Sequence, residues 1–540
     1  MTLREKAAQL VFVPFYGEAP NTKSPEYRKY LRWVRDLRVG GLVLVNRVKN
    51  GSVQHAEPFA MATFLNRMQR AAKVPLLVAG DFERGDSMRV VTDTKFPHNM
   101  AFAATRDPEL SRYEGAVTAR QARALGVPWI LAPVADVNNN PDNPIINIRS
   151  YGENPDEVAA HVRAFIEGAH KATADPVLVT VKHFPGHGDT ATDTHLAMAV
   201  LNAGVERLEQ CELAPFRAAI AAGADSVMTA HIAVPALDDP KTPSTLSHEV
   251  LTVLLRRKLG FDGLITTDAL DMQGITNRWN SGQAAVKAIE AGVDVLLMPA
   301  NPEQAVEGIV RAVERGQISR QRLNESVSRI LAAKARVGLN RKKHVDAEAA
   351  MDALDQPEDV ARVDEIAERA VTLVKNDAAL VPVKSAGAAF LILPESGCAE
   401  QGRAFAAEVR KRAPNAPIVT LSPGASGEEF DKAITAAKDA QTVVVAAFAS
   451  VAAYRGNTVL VGGYPKLLDA LMAVGRPVVL IALGNPYLVR SFPGVNGYIT
   501  TYSPVPPSET AAVKALFGEI PFRGKLPVTI PGVAKYGDGL

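Results

Sequence analysis

Residues 177–195 read VLVTVKHFPGHGDTATDTH. The first five, Val177–Val181, form an apolar run of the kind a parallel strand covered on both faces presents. The next fourteen, Lys182–His195, carry one Lys, three His and two Asp, with Gly186 and Gly188 to let the backbone turn. A strand that empties into titratable groups on a glycine-bearing loop belongs at the C-terminal mouth of a barrel enzyme. The competing reading is a plain solvated loop. It is disfavoured because loops seldom concentrate groups that titrate near neutrality.

Outward from this strand, short apolar runs recur between amphipathic stretches. They predict strands at Gln9–Pro14, Gly41–Asn46, Pro75–Ala79, Trp129–Pro133, Val177–Val181, Asp225–Ala230, Gly263–Thr267 and Asp294–Met298. Helices are expected between them, for example at Pro108–Leu125, Glu153–Lys171, Val205–Ala222 and Ser247–Lys258. Eight such strands alternating with helices indicate a parallel α/β barrel of the TIM type. Five strand ends carry polar groups: Asp81 and Glu83, Asp136, Lys182 and His183, His231, and Asp268. Their convergence marks one face as the site.

A chain of 540 residues exceeds one ordinary core. The barrel is expected over residues 1–338, a charged, Ala-rich linker over 339–362, and a second α/β layer domain over 363–540. The second domain's strands are predicted at Ala389–Pro394, Pro417–Leu421, Thr442–Phe448, Val478–Leu483 and Gly497–Thr501. No glycine-rich phosphate loop follows them, so nucleotide binding is not expected there. With 60 Lys+Arg against 58 Asp+Glu, the net charge of +2 gives no reason to expect a nucleic acid or membrane partner. Cys211 and Cys398 lie too far apart for metal-ligand spacing and make no disulfide framework. No apolar run reaches bilayer length. The start, MTLREKAAQLVFVPF, lacks a signal-peptide stretch, so a cytoplasmic location is the default and a trimmed export signal the alternative.

Three constellations carry chemistry. Asp268, in Ile265-Thr-Thr-Asp268-Ala-Leu-Asp271-Met, stands at the seventh strand end and also suits a helix N-cap; Asp271 falls one turn further from the strand and is the weaker candidate. Asp193-Thr-His195 spaces a carboxylate to hold an imidazole in one tautomer, as in a hydrolytic dyad; a loop hydrogen bond with no chemical role is the plain alternative. A metal set of His183, His187, His195 and Asp189 matches no common zinc spacing, and Lys182 would add unwelcome charge beside it. Asp81, Glu83, Arg84, Asp136, Arg149, Lys182 and His183, with His231, supply the donors and acceptors that a hydroxyl-rich ligand such as a sugar needs.

These motifs together resemble glycoside hydrolase family 3, in its β-N-acetylglucosaminidase branch. The resemblance spans nearly the whole chain and rests on KHFPGHGDT (Lys182–Thr190), Asp193-Thr-His195, TTDALDM around Asp268, NIRSYG (Asn147–Gly152) and the closing GKLPVTIP. It implies a barrel followed by an α/β sandwich and a retaining exo-β-N-acetylglucosaminidase acting on peptidoglycan fragments or chito-oligosaccharides. By the same resemblance, Asp268 is the nucleophile, His195 the general acid/base and Asp193 its partner. Asp81, Arg149, Lys182 and His183 match positions that hold the −1 sugar, and no metal or organic cofactor is required. One departure stands out. After Asp81-x-Glu83 the branch pattern is Gly-Gly-Arg, whereas this chain has Arg84-Gly85-Asp86. An imidazole suits proton exchange near neutrality without strong burial, and as a neutral base it repels an incoming anion less than a carboxylate does. Phosphorolysis is therefore one enzymatic alternative, another family 3 β-glycosidase activity a second, and non-catalytic sugar binding the alternative of another class.

Overall fold

The computed structural model describes residues 1–49, 52–398, 400–451 and 454–540. Its first sheet contains β1 (Val11–Phe15), β2 (Gly41–Leu44), β3 (Leu77–Gly80), β4 (Trp129–Ile130), β5 (Leu178–Phe184), β6 (Ser226–Thr229), β7 (Leu264–Thr266) and β8 (Leu296–Leu297). These strands pair in parallel in chain order, and β8 returns to β1 with Val11 opposite Leu296. A bridge between Thr266 and Val295 joins β7 to β8 and closes the barrel. Every residue of β2, β3, β5 and β6 is buried, as strands covered inside by side chains and outside by helices require. Phe12 on β1 and Trp129 on β4 meet edge to face with centroids 5.5 Å apart. Because those strands are not neighbours, that contact crosses the barrel interior.

All eight expected strands form, with shifted ends. Strand β5 runs to Phe184, so Lys182 and His183 lie on the strand and not on the loop beyond it. Strand β4 stops at Ile130, short of Pro133. The helix expected over Val205–Ala222 is two, Val205–Gln210 and Ala214–Ala221. The chain turns at Cys211, and Pro215 starts the second helix where its missing N–H costs nothing.

Residues 339–362 carry the helix Ala347–Asp352 and the start of Pro357–Ala370. Asp359 is buried, accepts the Tyr113 hydroxyl at 2.7 Å and pairs with Arg120. The segment is therefore fastened to the barrel. Its Ala-rich composition hid this, because the partners of Asp359 are remote in sequence.

The second sheet holds β9 (Thr372–Asn376), β10 (Ala388–Leu393), β11 (Ile418–Thr420), β12 (Thr442–Ala449), β13 (Val478–Gly484) and β14 (Gly497–Thr500), in the order β9-β14-β13-β12-β10-β11. Strand β9 is an antiparallel edge that the sequence pattern did not reveal. Alternate residues of β12 face opposite layers. Val443, Val445 and Ala447 pack with Tyr464, Leu467 and Leu471, while Val444, Ala446 and Phe448 pack with Phe405, Val409 and Leu516. The first layer also takes in Met100, Ala101 and Ile148 from the barrel side, which seats the sandwich on the barrel. Two of the sequence motifs meet at this junction. The Glu153 N–H donates to the Pro527 carbonyl at 3.1 Å, and a Cβ on Gly152 (φ +134°) would stand 2.4 Å from that oxygen. Among the described residues, no helix is long and apolar enough to cross a membrane.

Candidate active site

At the barrel mouth, β3 ends at Gly80 and hands Asp81 and Glu83 to the side chain of Lys182 from β5. The Lys182 Nζ donates to Asp81 Oδ1 at 2.6 Å and lies 2.7 Å from Glu83 Oε1. Arg149 grips the same Glu83 through both fork nitrogens, each at 2.7 Å, and its third nitrogen donates to the Ile145 carbonyl at 2.8 Å. Burial alone would raise the Asp81 carboxyl, but Lys182 and Arg89 hold it below its ordinary value. Burial likewise opposes ionisation of Glu83, and Arg149 and Lys182 outweigh it to keep that carboxyl well down. For Lys182, the two carboxylates overcome burial and hold the amine up. Both signs therefore stay charged in a buried place. Such a network is costly to assemble, and it fixes each donor and acceptor in position.

His183 is oriented by Asp136 from the segment beyond β4. Its Nδ1 lies 2.7 Å from Asp136 Oδ2, and Arg149 Nη2 donates to Nε2 at 3.3 Å. These partners put the ring proton on Nδ1. The other Asp136 oxygen accepts the His187 backbone N–H at 2.7 Å. Burial would raise the Asp136 carboxyl, but His183 and the His187 N–H keep it low.

From there the chain loops outward. Gly188 passes so close beneath the Val137 carbonyl that a Cβ would fall 1.8 Å from that oxygen. Both His187 nitrogens meet hydroxyls, Thr190 at 2.7 Å and Thr194 at 3.1 Å, and burial pushes the imidazolium down to about 4. His187 is a neutral clasp of the loop, with no nitrogen left over for a metal. The loop ends in the dyad, with His195 Nδ1 2.8 Å from Asp193 Oδ1 and the His195 backbone N–H 2.9 Å from the same oxygen. Asp193 is buried, whereas the His195 side chain is 23% exposed. His195 Nε2 is therefore the nitrogen left to exchange a proton.

Asp268 follows β7 by two residues. Its Oδ1 accepts the Ala269 N–H at 2.7 Å. Burial would raise this carboxyl, but the imidazoles of His231, His183 and His195 and the Ala269 N–H hold it below its ordinary value. His231 spends both nitrogens on protein, Nδ1 on the Thr245 hydroxyl at 2.8 Å and Nε2 on the Ala269 carbonyl at 2.9 Å. It thus steadies the peptide that carries Asp268. Asp271 is exposed further along the same loop. The dyad loop folds directly onto this segment: the Gly274 N–H donates to the Thr194 carbonyl at 3.3 Å and the Gln273 N–H to the His195 carbonyl at 3.4 Å.

The structure thus brings Asp81, Asp136, Arg149, Lys182, His183, Asp193, His195, His231 and Asp268 to one mouth. Arg84 adjoins Glu83 in the chain. Among the described residues it makes no hydrogen bond or ion pair; its charge faces those of Arg89, Glu83 and Glu114 and also bears on His98 and His55. Two neighbours of these residues escaped sequence reasoning. Arg89, paired with Asp81, lies in a stretch with no strand pattern. Tyr454, whose ring stands 5.0 Å from that of His195, arrives from the second domain, and no local signal marks it. A separate cavity of about 280 Å³, lined by Leu65, Gln69, Arg123 and Val345, lies at the other end of the barrel and holds none of these groups.

A barrel mouth furnished with ion-paired donors and acceptors, beside an imidazole held at Nδ1 by a carboxylate, suits a class of enzyme acting on hydroxyl-rich, carbohydrate substrates. The chain belongs to glycosyl hydrolase family 3, matching that family's N-terminal domain over residues 2–333 and its C-terminal domain over residues 272–538. It is 31% identical to a β-N-acetylglucosaminidase/β-glucosidase from Cellulomonas fimi, across 97% of this chain and 93% of that one. Among solved structures it resembles a family 3 β-N-acetylglucosaminidase from Paenibacillus sp. str. FPU-7, with 32% identity, a TM-score of 0.86 and coverage of 98% and 99%. It also resembles a β-glucoside phosphorylase, with 27% identity, a TM-score of 0.85 and coverage of 98% and 94%.

Proposed function

We propose that the protein is a retaining exo-β-N-acetylglucosaminidase that removes terminal GlcNAc from peptidoglycan fragments or chito-oligosaccharides. The observation that carries this reading is the dyad loop bonded through Thr194 and His195 to the segment following Asp268. That contact, which brings the His195 loop against the segment following Asp268, supports pairing the imidazole with that carboxylate. In this mechanism Asp268 attacks the anomeric carbon while His195 Nε2–H protonates the departing oxygen, which leaves a glycosyl-aspartate ester. The neutral His195 then takes a proton from water as the water attacks that ester, and the sugar is released with its β configuration retained. Asp193 holds the tautomer and stabilises the imidazolium that forms after the proton is taken. Asp81, Lys182, His183 and Arg149 hold the −1 sugar, with Asp136 positioning His183. The GlcNAc preference is supported by the names of the Cellulomonas and Paenibacillus relatives. We place the catalytic unit at residues 1–338 and the second domain at 363–540.

A second reading, phosphorolysis, is favoured by the likeness to a β-glucoside phosphorylase and by a base that carries no negative charge. One experiment separates the readings: a panel of aryl β-glycosides of GlcNAc, Glc, Xyl and GalNAc, with products followed by NMR in water and in phosphate buffer. Fastest turnover of the GlcNAc glycoside with β-GlcNAc as first product supports the proposal. GlcNAc-1-phosphate would point to the phosphorylase. Binding with no turnover of any aryl glycoside would overturn both.

A further inference from the structure

The second domain reaches the barrel mouth at Tyr454, on the loop beyond β12. The ring centroid lies 5.0 Å from that of His195, with the planes at 60°, yet the residue is 57% exposed. The ring therefore touches the dyad imidazole while more than half of the residue stays open to solvent. Its backbone is left-handed (φ +66°), an uncommon state for a bulky residue and one kept where surrounding structure imposes it. The surroundings do so from both sides. Glu395 accepts the Ser450 hydroxyl at 2.6 Å, the Ser450 N–H at 3.1 Å and the Gln401 amide at 3.0 Å, and it pairs with Arg455. On the far side, a Cβ at Gly456 would lie 3.4 Å from Leu196 of the dyad loop. The carboxylates whose fields reach the Tyr454 hydroxyl are Asp271, Asp193 and Asp268, and none belongs to the cradle of Asp81, Glu83 and Asp136. The ring thus adjoins His195, within reach of the Asp193 and Asp268 carboxylates.

We infer that Tyr454 is a specificity-determining platform for the sugar on the leaving-group side, a role that rests on the assignment of His195 and Asp268 above. The proton from His195 goes to the glycosidic oxygen, so a ring beside that imidazole and outside the −1 cradle borders the departing residue. The C–H face of a β-linked sugar packs on such a ring, and its hydroxyls stay in water.

The test uses the full chain with Tyr454→Ala and Tyr454→Phe, assayed on chitobiose and on methyl β-N-acetylglucosaminide. The expected result for Tyr454→Ala is a KM for chitobiose raised about fivefold to tenfold, with the methyl glycoside and the pH profile unmoved. Tyr454→Phe should restore the chitobiose KM. Equal losses on both substrates, a displaced pH profile, or no change on chitobiose would each overturn the platform. Asp268→Ala in the same assay is the control: turnover surviving there would fault the underlying site assignment, whatever Tyr454 does.

Discussion

Asp193 Oδ1 receives both the ring Nδ1–H and the backbone N–H of His195, at 2.8 and 2.9 Å. One oxygen thereby fixes the tautomer and the rotation of the ring, and Nε2 is aimed by two bonds.

From that geometry, His195→Ala should discriminate between leaving groups. With methyl or disaccharide leaving groups, which need protonation, kcat/KM should fall by about 10²–10⁴. With dinitrophenyl glycosides the loss should stay within about tenfold. Steady-state rates on the two series check this, and equal losses would remove the acid role.

Asp268 is held below its ordinary carboxyl value of 3.8 by the neighbouring imidazoles and the Ala269 N–H, against the pull of burial. A carboxyl so depressed, as the proposed nucleophile, is ionised wherever the pH exceeds that ordinary value. The acid limb of kcat/KM should therefore fall below it, and activity should not decline on the acid side between about pH 5 and 7 from this group. Asp268→Ala should abolish turnover of every substrate, activated or not.

Lys182→Met should be costly to the fold as well as to activity. It leaves Asp81 and Glu83 buried with one cation fewer, at about 3–5 kcal/mol by denaturant unfolding. The native network also has a pH signature. Glu83 is well below its ordinary 4.5, so its contribution is present above that value and is lost as pH falls through the lower folded one. The variant's stability curve should be flatter on the acid side than that of the parent.

Asp86 behaves in the opposite sense. It is fully buried, neither oxygen has a hydrogen-bond partner among the described residues, and burial pushes its carboxyl well above 3.8. A raised acid binds its proton more tightly when folded, so its stability contribution is full below the ordinary value and is lost as pH rises through the folded one. Asp86→Asn should therefore gain on the order of 1 kcal/mol at pH 7–8 and little at pH 4, read from paired unfolding curves. A loss at neutral pH would show that Asp86 is used in its charged form.

Much of the molecule was legible along the chain. The barrel strands announce themselves as apolar runs because both their faces are covered, and each strand-end polar group follows its run within a few residues. The fork from Arg149 to Glu83 was not legible in that way, since 66 residues separate them. Nor was the burial of Asp359, whose partners are Tyr113 and Arg120.

Taken by itself, the sequence determined that there are two α/β units, where the mouth of the first lies, and which residue types gather there, because periodicity and strand-end position are local properties. The tertiary structure decided which of those residues touch. Arg149 forks onto Glu83, His231 turns to the peptide of Asp268 and not outward, and Tyr454 crosses from one unit to the other to meet His195. Those outcomes depend on how distant segments pack, and a hydrogen bond or ring contact between such segments leaves no trace in the spacing of either one.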